Sequence, residues 1–96
     1  MRYKLEFAKA VKAHFAALTA RQRATVLDAI ERQLADEPLK ESRNRKPLRP
    51  NPIAPWELRV GELRVFYEVA AQVVHILAGG IKSRNFVRIG EQEFQL

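Results

Sequence analysis

The residues best equipped for chemistry in this sequence are cations. Arg59 and Arg64 stand on either side of Gly61-Glu62, and Lys82 and Arg84 follow a double glycine, Gly79-Gly80. Lys40, Arg43, Arg45, Lys46 and Arg49 form a run opposed within its own segment only by Glu41. Such groups suit phosphate, because a guanidinium offers a planar fork of donors to phosphate oxygens and an ammonium offers a point charge. Residues for other chemistries are missing. The chain has no cysteine to serve as nucleophile or metal ligand. It has no HExxH, no GxxxxGK[ST] and no GxGxxG, and Ser42 and Ser83 lack a recognisable base nearby. No metal and no cofactor is expected.

The arginines are positioned by a hairpin. Trp56, Leu58 and Val60 alternate with Glu57 and Arg59, and Leu63, Val65, Tyr67 and Val69 alternate with Arg64, Phe66 and Glu68. Glycine at the first central position of a two-residue turn suits type II′. The turn pairs Val60 with Leu63 and Arg59 with Arg64. Trp56, Leu58, Val60, Leu63, Val65 and Tyr67 then share a core face, while Glu57, Arg59, Arg64 and Phe66 share the opposite, open face. Like charges directly opposite one another destabilise a sheet. Two explanations stand: an anionic partner lies between the arginines, or Glu57 and Glu68 neutralise them diagonally.

The remaining elements frame that hairpin. Residues 2–7 alternate as a half-buried strand. Val11, His14, Phe15 and Leu18 recur at helical spacing over residues 8–18, with His14 on the flank of the stripe as a packing residue. Thr19 and Gln22 fit a capping box that opens a second helix, running to about Asp36 with Leu27, Ile30 and Leu34 as its stripe beside Val26. Pro38 stops it. Residues 39–55 read as a long basic loop whose prolines keep it extended and out of regular sheet. After the hairpin, a turn at Ala71-Gln72 leads into a strand over 73–81, with Val74, Ile76 and Ala78 toward the core. His75 then lies opposite Glu68 on the open face, unless a one-residue slip buries it. Residues 86–96, with a turn at Gly90, supply a last short strand or hairpin. The class is α+β: an N-terminal strand, a two-helix hairpin, then an antiparallel meander, a single sheet with helices on one face. Lys82 and Arg84 fall on the rim of the open face.

Length and charge narrow the function classes. A chain of 96 residues accommodates one domain, residues 1–96, and 47% hydrophobic content argues against disorder. The longest apolar run, residues 73–81, is broken by His75 and is about half the ~20 residues needed to span a bilayer. Together with the absence of an apolar leader and of cysteine, this reads as a cytoplasmic protein with no membrane partner. The net charge of +6 favours a polyanionic partner.

The run from Trp56 to Val69, WELRVGELRVFYEV, resembles the signature hairpin of RelE/ParE-type toxins, roughly aromatic-x-L-R-V-G-x-x-R-V-x-Y. The element order, the Lys46-Pro47-Leu48 segment and Gly80 fall in family order, so the resemblance spans nearly the whole chain. It implies a toxin of a bacterial type II toxin–antitoxin module, silenced by a cognate antitoxin protein. The RelE-like branch cleaves messenger RNA on the ribosome, the 2′-hydroxyl attacking the adjacent phosphorus to leave a cyclic phosphate. That chemistry needs a base, cations at the phosphate and an acid at the leaving oxygen.

Residue by residue, the resemblance makes Arg64 a phosphate stabiliser and Arg59 a basic position on the preceding strand. Lys82 or Arg84 matches the basic residue after the last core strand. Arg45 and Arg49, in the basic loop, join them as RNA-binding candidates. The chain departs from the family in three places: Lys46 where some members carry a carboxylate, Glu57 where others are basic, and Phe86 with no tyrosine after Tyr67. The ParE-like branch poisons DNA gyrase without cleaving nucleic acid, and a weakly active toxin that mainly binds its antitoxin is a third reading. If cleavage occurs, Lys46 is the candidate base by elimination, since the neighbouring Arg45 and Arg49 favour a neutral amine.

Overall fold

Alternation and helical spacing act first in the N-terminal third. The structure, a computed structural model, describes residues 2–95. Strand β1 (Lys4–Phe7) leads into helix α1 (Lys9–Ala16), which buries Val11 and Phe15. The capping box of helix α2 (Ala20–Leu34) is complete: the Thr19 hydroxyl accepts from the Gln22 N–H at 3.0 Å, and Gln22 Oε1 accepts from the Thr19 N–H at 2.9 Å. The buried stripe of α2 is Val26, Ala29, Ile30 and Leu34, whereas Leu27, expected in the stripe, is 41% exposed. The row at i, i+4 and i+8 runs through Val26, Ile30 and Leu34, which turns Leu27 onto the rim.

Seven strands form one sheet. Strands β2 (Arg45–Pro47), β3 (Trp56–Val60), β4 (Leu63–Ala70), β5 (Val73–Ser83), β6 (Phe86–Ile89) and β7 (Gln92–Phe94) lie in that order and pair antiparallel. Strand β1 pairs parallel with β5, from Lys4↔Val73 to Phe7↔Ile76. The long β5 therefore shares one edge between two partners: β1 on its first half and β6 on its second. The helices cover one face, where Val11, Phe15, Ile30 and Leu34 meet Leu58, Val65, Tyr67, Val74 and Ile76. The Tyr67 hydroxyl donates to the buried Pro38 carbonyl at 2.6 Å, tying the end of the helical layer to the sheet.

Three expectations change. The basic loop is not wholly outside the sheet, because Arg45–Pro47 forms an edge strand, the one place where a proline's missing N–H goes unnoticed. Nor is the rest of it structureless. Asn51 Oδ1 accepts from the Ile53 and Ala54 N–H groups at 2.8 and 3.0 Å, and Asn51 Nδ2 donates to the Arg49 and Ala54 carbonyls. Second, Ala78 does not join Val74 and Ile76. Tyr67 pairs with Ile76 but Phe66 with Ala78, so Leu77 is an extra residue, a bulge that reverses the facing of every later residue of β5. Third, the face opposite the helices is half covered. Phe66 is fully buried there with Ala54, Ala78, Val87 and Ile89, under Leu48 and Ile53 of the loop and Phe94 of β7.

The turns match their sequences unequally. Gly61 has φ 61° and Glu62 has no positive φ, as type II′ requires. Ala71 and Gln72 both have positive φ, 51° and 67°, although neither is glycine or asparagine. A left-handed non-glycine residue costs roughly 1–2 kcal/mol. Ala71→Asn with Gln72→Gly should therefore raise stability by about 1 kcal/mol, readable as a higher urea midpoint at unchanged slope. An unchanged or lower midpoint would show the turn to be unstrained.

Where β1 ends and β6 has not begun, the edge of β5 is closed by side chain and helix. The Ala8 N–H donates to the Ile76 carbonyl at 2.8 Å, and the Gly79 N–H donates to His14 Nδ1 at 3.3 Å. His14 accepts only as neutral imidazole, and burial lowers its pKa below the ordinary 6.5. A lowered folded pKa means that the unfolded chain binds the proton more readily. This contribution to stability is complete above pH 6.5 and declines as pH falls below it. Thermal midpoints should drop between pH 7 and 5.5 in the wild type, and the drop should shrink in His14→Gln, which retains an acceptor oxygen. Equal drops in both proteins would remove His14 from the account.

Candidate phosphate-binding face

The turn-proximal corner of the sheet, on the face away from the helices, carries the charge. Arg59 pairs with Arg64 across β3 and β4, as the two-residue turn demands. Arg64 pairs with Gly80 on β5, which offers no side chain above the sheet. Two positions back along β3, Glu57 pairs with Lys46 of β2 on the same face. Lys82 completes the corner, its N–H donating to the Glu62 carbonyl at 2.7 Å beside the turn.

The arginine pair is held from inside. Glu57, 5% exposed, is a buried charged residue among otherwise apolar core positions. Its Oε2 lies 2.7 Å from Arg59 Nε, with a hydrogen bond, and its Oε1 lies 3.9 Å from Arg64 Nε. Arg64 Nη1 also donates to the Gly61 carbonyl at 2.7 Å and the Leu63 carbonyl at 2.9 Å. The Arg64 side chain is only 11% exposed, and burial lowers its pKa from the usual guanidinium value while Glu57 partly restores it. Arg59 is 43% exposed and presents the accessible part of the pair. Diagonal neutralisation by Glu57 is thus real. Glu68 takes no part in it, lying beyond Phe66 opposite His75.

The other sequence-selected cations divide. Lys46 is on the face, its Nζ 3.7 Å from Glu41. Arg45, one residue earlier, points to the helix side: Nε donates to the Lys40 carbonyl at 2.9 Å and Nη1 to Gln33 Oε1 at 3.2 Å, bracing the loop against the end of α2. Arg49 is exposed and lines an open hollow of about 390 Å³ near Glu68, away from the arginine pair. Arg84 occupies the two-residue turn between β5 and β6 at φ 56°, because β5 runs to Ser83. His75 stands at the opposite end of β5, in register with Glu68 and Glu6, its Nδ1 3.5 Å from Glu6 Oε1. The open-face register holds, and the one-residue slip does not occur. Among the described residues no group of histidine or carboxylate side chains is arranged to hold a metal ion, and no helix is long and apolar enough to cross a membrane.

Sequence reasoning offered Glu57 as a neutralising partner of the arginines, together with Glu68, but did not foresee its burial. The signal for the pairing was a carboxylate two residues before Arg59 on the same strand face, where side chains of i and i+2 are neighbours.

A chain from the crystal structure of the toxin–antitoxin complex RelBE2 of Mycobacterium tuberculosis is similar to this chain. The TM-score is 0.73 at 26% sequence identity, over 85% of this chain and 100% of that one. No protein-family model matches the chain, and no curated protein matches it by sequence. The structural likeness agrees with the hairpin signature, the element order and the sheet with helices on one face.

Proposed function

We propose that this RelE-like chain is the toxin of a type II toxin–antitoxin module, acting in the cytoplasm as a ribosome-dependent RNA endonuclease that stops translation. The observation that carries the reading is the in-register pair Arg59–Arg64 anchored on Glu57, beside Lys46 and Lys82, in a RelE-like fold. In this mechanism the 2′-hydroxyl attacks the adjacent phosphorus and the 5′-oxygen of the next nucleotide leaves. Arg59 and the exposed edge of Arg64 stabilise the charge on the phosphoryl oxygens. A Lys46 amine that has left Glu41 and lost its own proton to solvent takes the 2′ proton, and Lys82 returns a proton to the leaving 5′-oxygen, where Arg84 can supply charge only. Arg45 acts indirectly, by holding the strand that carries Lys46.

One observation favours a second reading, a non-catalytic inhibitor of DNA gyrase. The two imidazoles stand away from the arginine pair, and the buried carboxylate on the face is engaged by an arginine. Expression without antitoxin separates the two. Endonuclease action halts translation and leaves breaks within translated codons, and Lys46→Arg abolishes the breaks while ribosome binding persists. Continued translation with collapsing DNA supercoiling would transfer the assignment to gyrase.

The antitoxin follows from the same assignment. Phe7, Val11, Phe15 and Leu27 line an apolar groove of about 430 Å³ whose rim carries Lys9 and Lys12. An amphipathic, acidic antitoxin segment fits that groove in both apolar and charged character.

A further inference from the structure

A pocket of about 230 Å³ opens on the helix side of the sheet, on the face opposite the arginine pair. The end of α1 lines it with His14, Ala17 and Leu18, and β5 and β6 line it with Gly79, Ile81 and Arg88. Ala17, Leu18 and Ile81 make apolar walls, so a few polar groups decide what fits. His14 Nδ1 accepts from the Gly79 N–H at 3.3 Å. A neutral imidazole with one nitrogen accepting carries its proton on the other, so Nε2 is left as a donor. Arg88 pairs with Ile81 and shares its face. Glu93 stands directly opposite Arg88 on β7, yet among the described residues the Arg88 side chain makes no ion pair and donates no hydrogen bond. The C-terminal end of a helix disfavours anions. Here Arg23 Nη1 donates to the Phe15 and Leu18 carbonyls at 2.9 and 3.0 Å and offsets that end. The pocket therefore offers one N–H donor and one guanidinium fork, with no carboxylate in its lining. A carboxylate presents two oxygens that such a fork matches, and apolar walls suit methylene groups behind it. A phosphate has more oxygens to satisfy than two donor groups can reach.

We propose that this pocket binds a carboxylate carried on a short aliphatic stem, held by Arg88 and by the Nε2–H of His14. The site shares no residue with the phosphate-binding face and stands or falls independently of it. Two sources carry this chemistry: a free short-chain carboxylate, or a glutamyl side chain of a bound protein.

The test is an NMR titration of the full chain at neutral pH, following the His14 ring nitrogens and the Arg88 Nε–H signal. The probes are propionate, N-acetylglutamate α-amide, which keeps only the side-chain carboxylate, and inorganic phosphate. Before any addition, His14 should show a proton on Nε2 and none on Nδ1. Propionate should then shift both residues together and saturably, and phosphate should bind about tenfold more weakly. Arg88→Gln, at an exposed position, should weaken propionate about tenfold or more, the scale of one charge-assisted hydrogen bond, and Arg88→Lys should recover part of the loss. Tighter binding of the blocked glutamyl probe assigns the site to an acidic side chain of a protein partner, and tighter binding of propionate assigns it to a free carboxylate. Phosphate binding as tightly as propionate overturns the carboxylate assignment. A proton on Nδ1 of His14, or carboxylate probes that move neither residue, overturns the site whatever the variants do. Unchanged propionate affinity in an Arg88→Gln protein that melts with the wild type overturns it as well.

Discussion

Arg59→Ala combined with Arg64→Ala should destabilise the protein by about 3 kcal/mol, lowering its melting midpoint by roughly 12–24 °C for a domain of this size. Taken from the strands alone, the pair is a repulsion, and removing it should leave stability unchanged or higher. The structure reverses the sign. Glu57 is buried and its carboxylate is matched by these two guanidinium groups. Removing both leaves a desolvated charge with only Lys46 across the strand pair. The figure sits at the low end of the range for stripping a buried charge because Arg59 is itself 43% exposed and screened by water. Adding Glu57→Gln to the double variant should recover much of the loss, since a neutral amide tolerates the site better than an unpaired carboxylate. A double variant that melts with the wild type would show that Glu57 finds other partners at no cost.

The second large effect is expected at Gly80. A methyl group there would collide with the backbone carbonyl of Arg88 and press on Ile89 Cγ1 at 3.0 Å. Backbone cannot swing aside as a side-chain tip can. Gly80→Ala should therefore cost about 3 kcal/mol, the upper part of the overpacking range. The damage should be local at first: amide protection at Val87 and Ile89 should fall while β3 and β4 remain protected, because β6 must lift from β5 to make room. At Gly79 the obstacle is the buried ring of Phe15, a side chain rather than backbone, so Gly79→Ala should disturb the packing of α1 on the sheet instead of the β5–β6 pairing. Protection at β6 equal to the wild type in Gly80→Ala would rule out this close approach.

How far the site was legible follows from the range of each interaction. The pairing of Arg59 with Arg64, the type II′ turn at Gly61, the capping box at Thr19 and the helical hairpin are local. Each depends on residues within a few positions, where side-chain period and turn chemistry leave few alternatives. The RelE-like hairpin signature was readable for the same reason, and the arrangement of helices on one face of one sheet followed from element order.

The bulge at Leu77 was not readable, because an extra residue in β5 appears only against its partner strand, and it moved Ala78 from one face to the other. The parallel pairing of β1 with β5 joins residues on opposite sides of both helices, with no local signature. Arg45, as an RNA-binding residue, and Lys46, as a base, were both expected at the site from one basic loop, until the short β2 pairing turned them to opposite faces. Sequence alone therefore determined that this protein sets cations opposite one another on a sheet. Only the tertiary structure decided that they close around Glu57, because burial of that carboxylate depends on β2 pairing with β3 opposite β4, a pairing that the proline-rich segment before β3 did not announce.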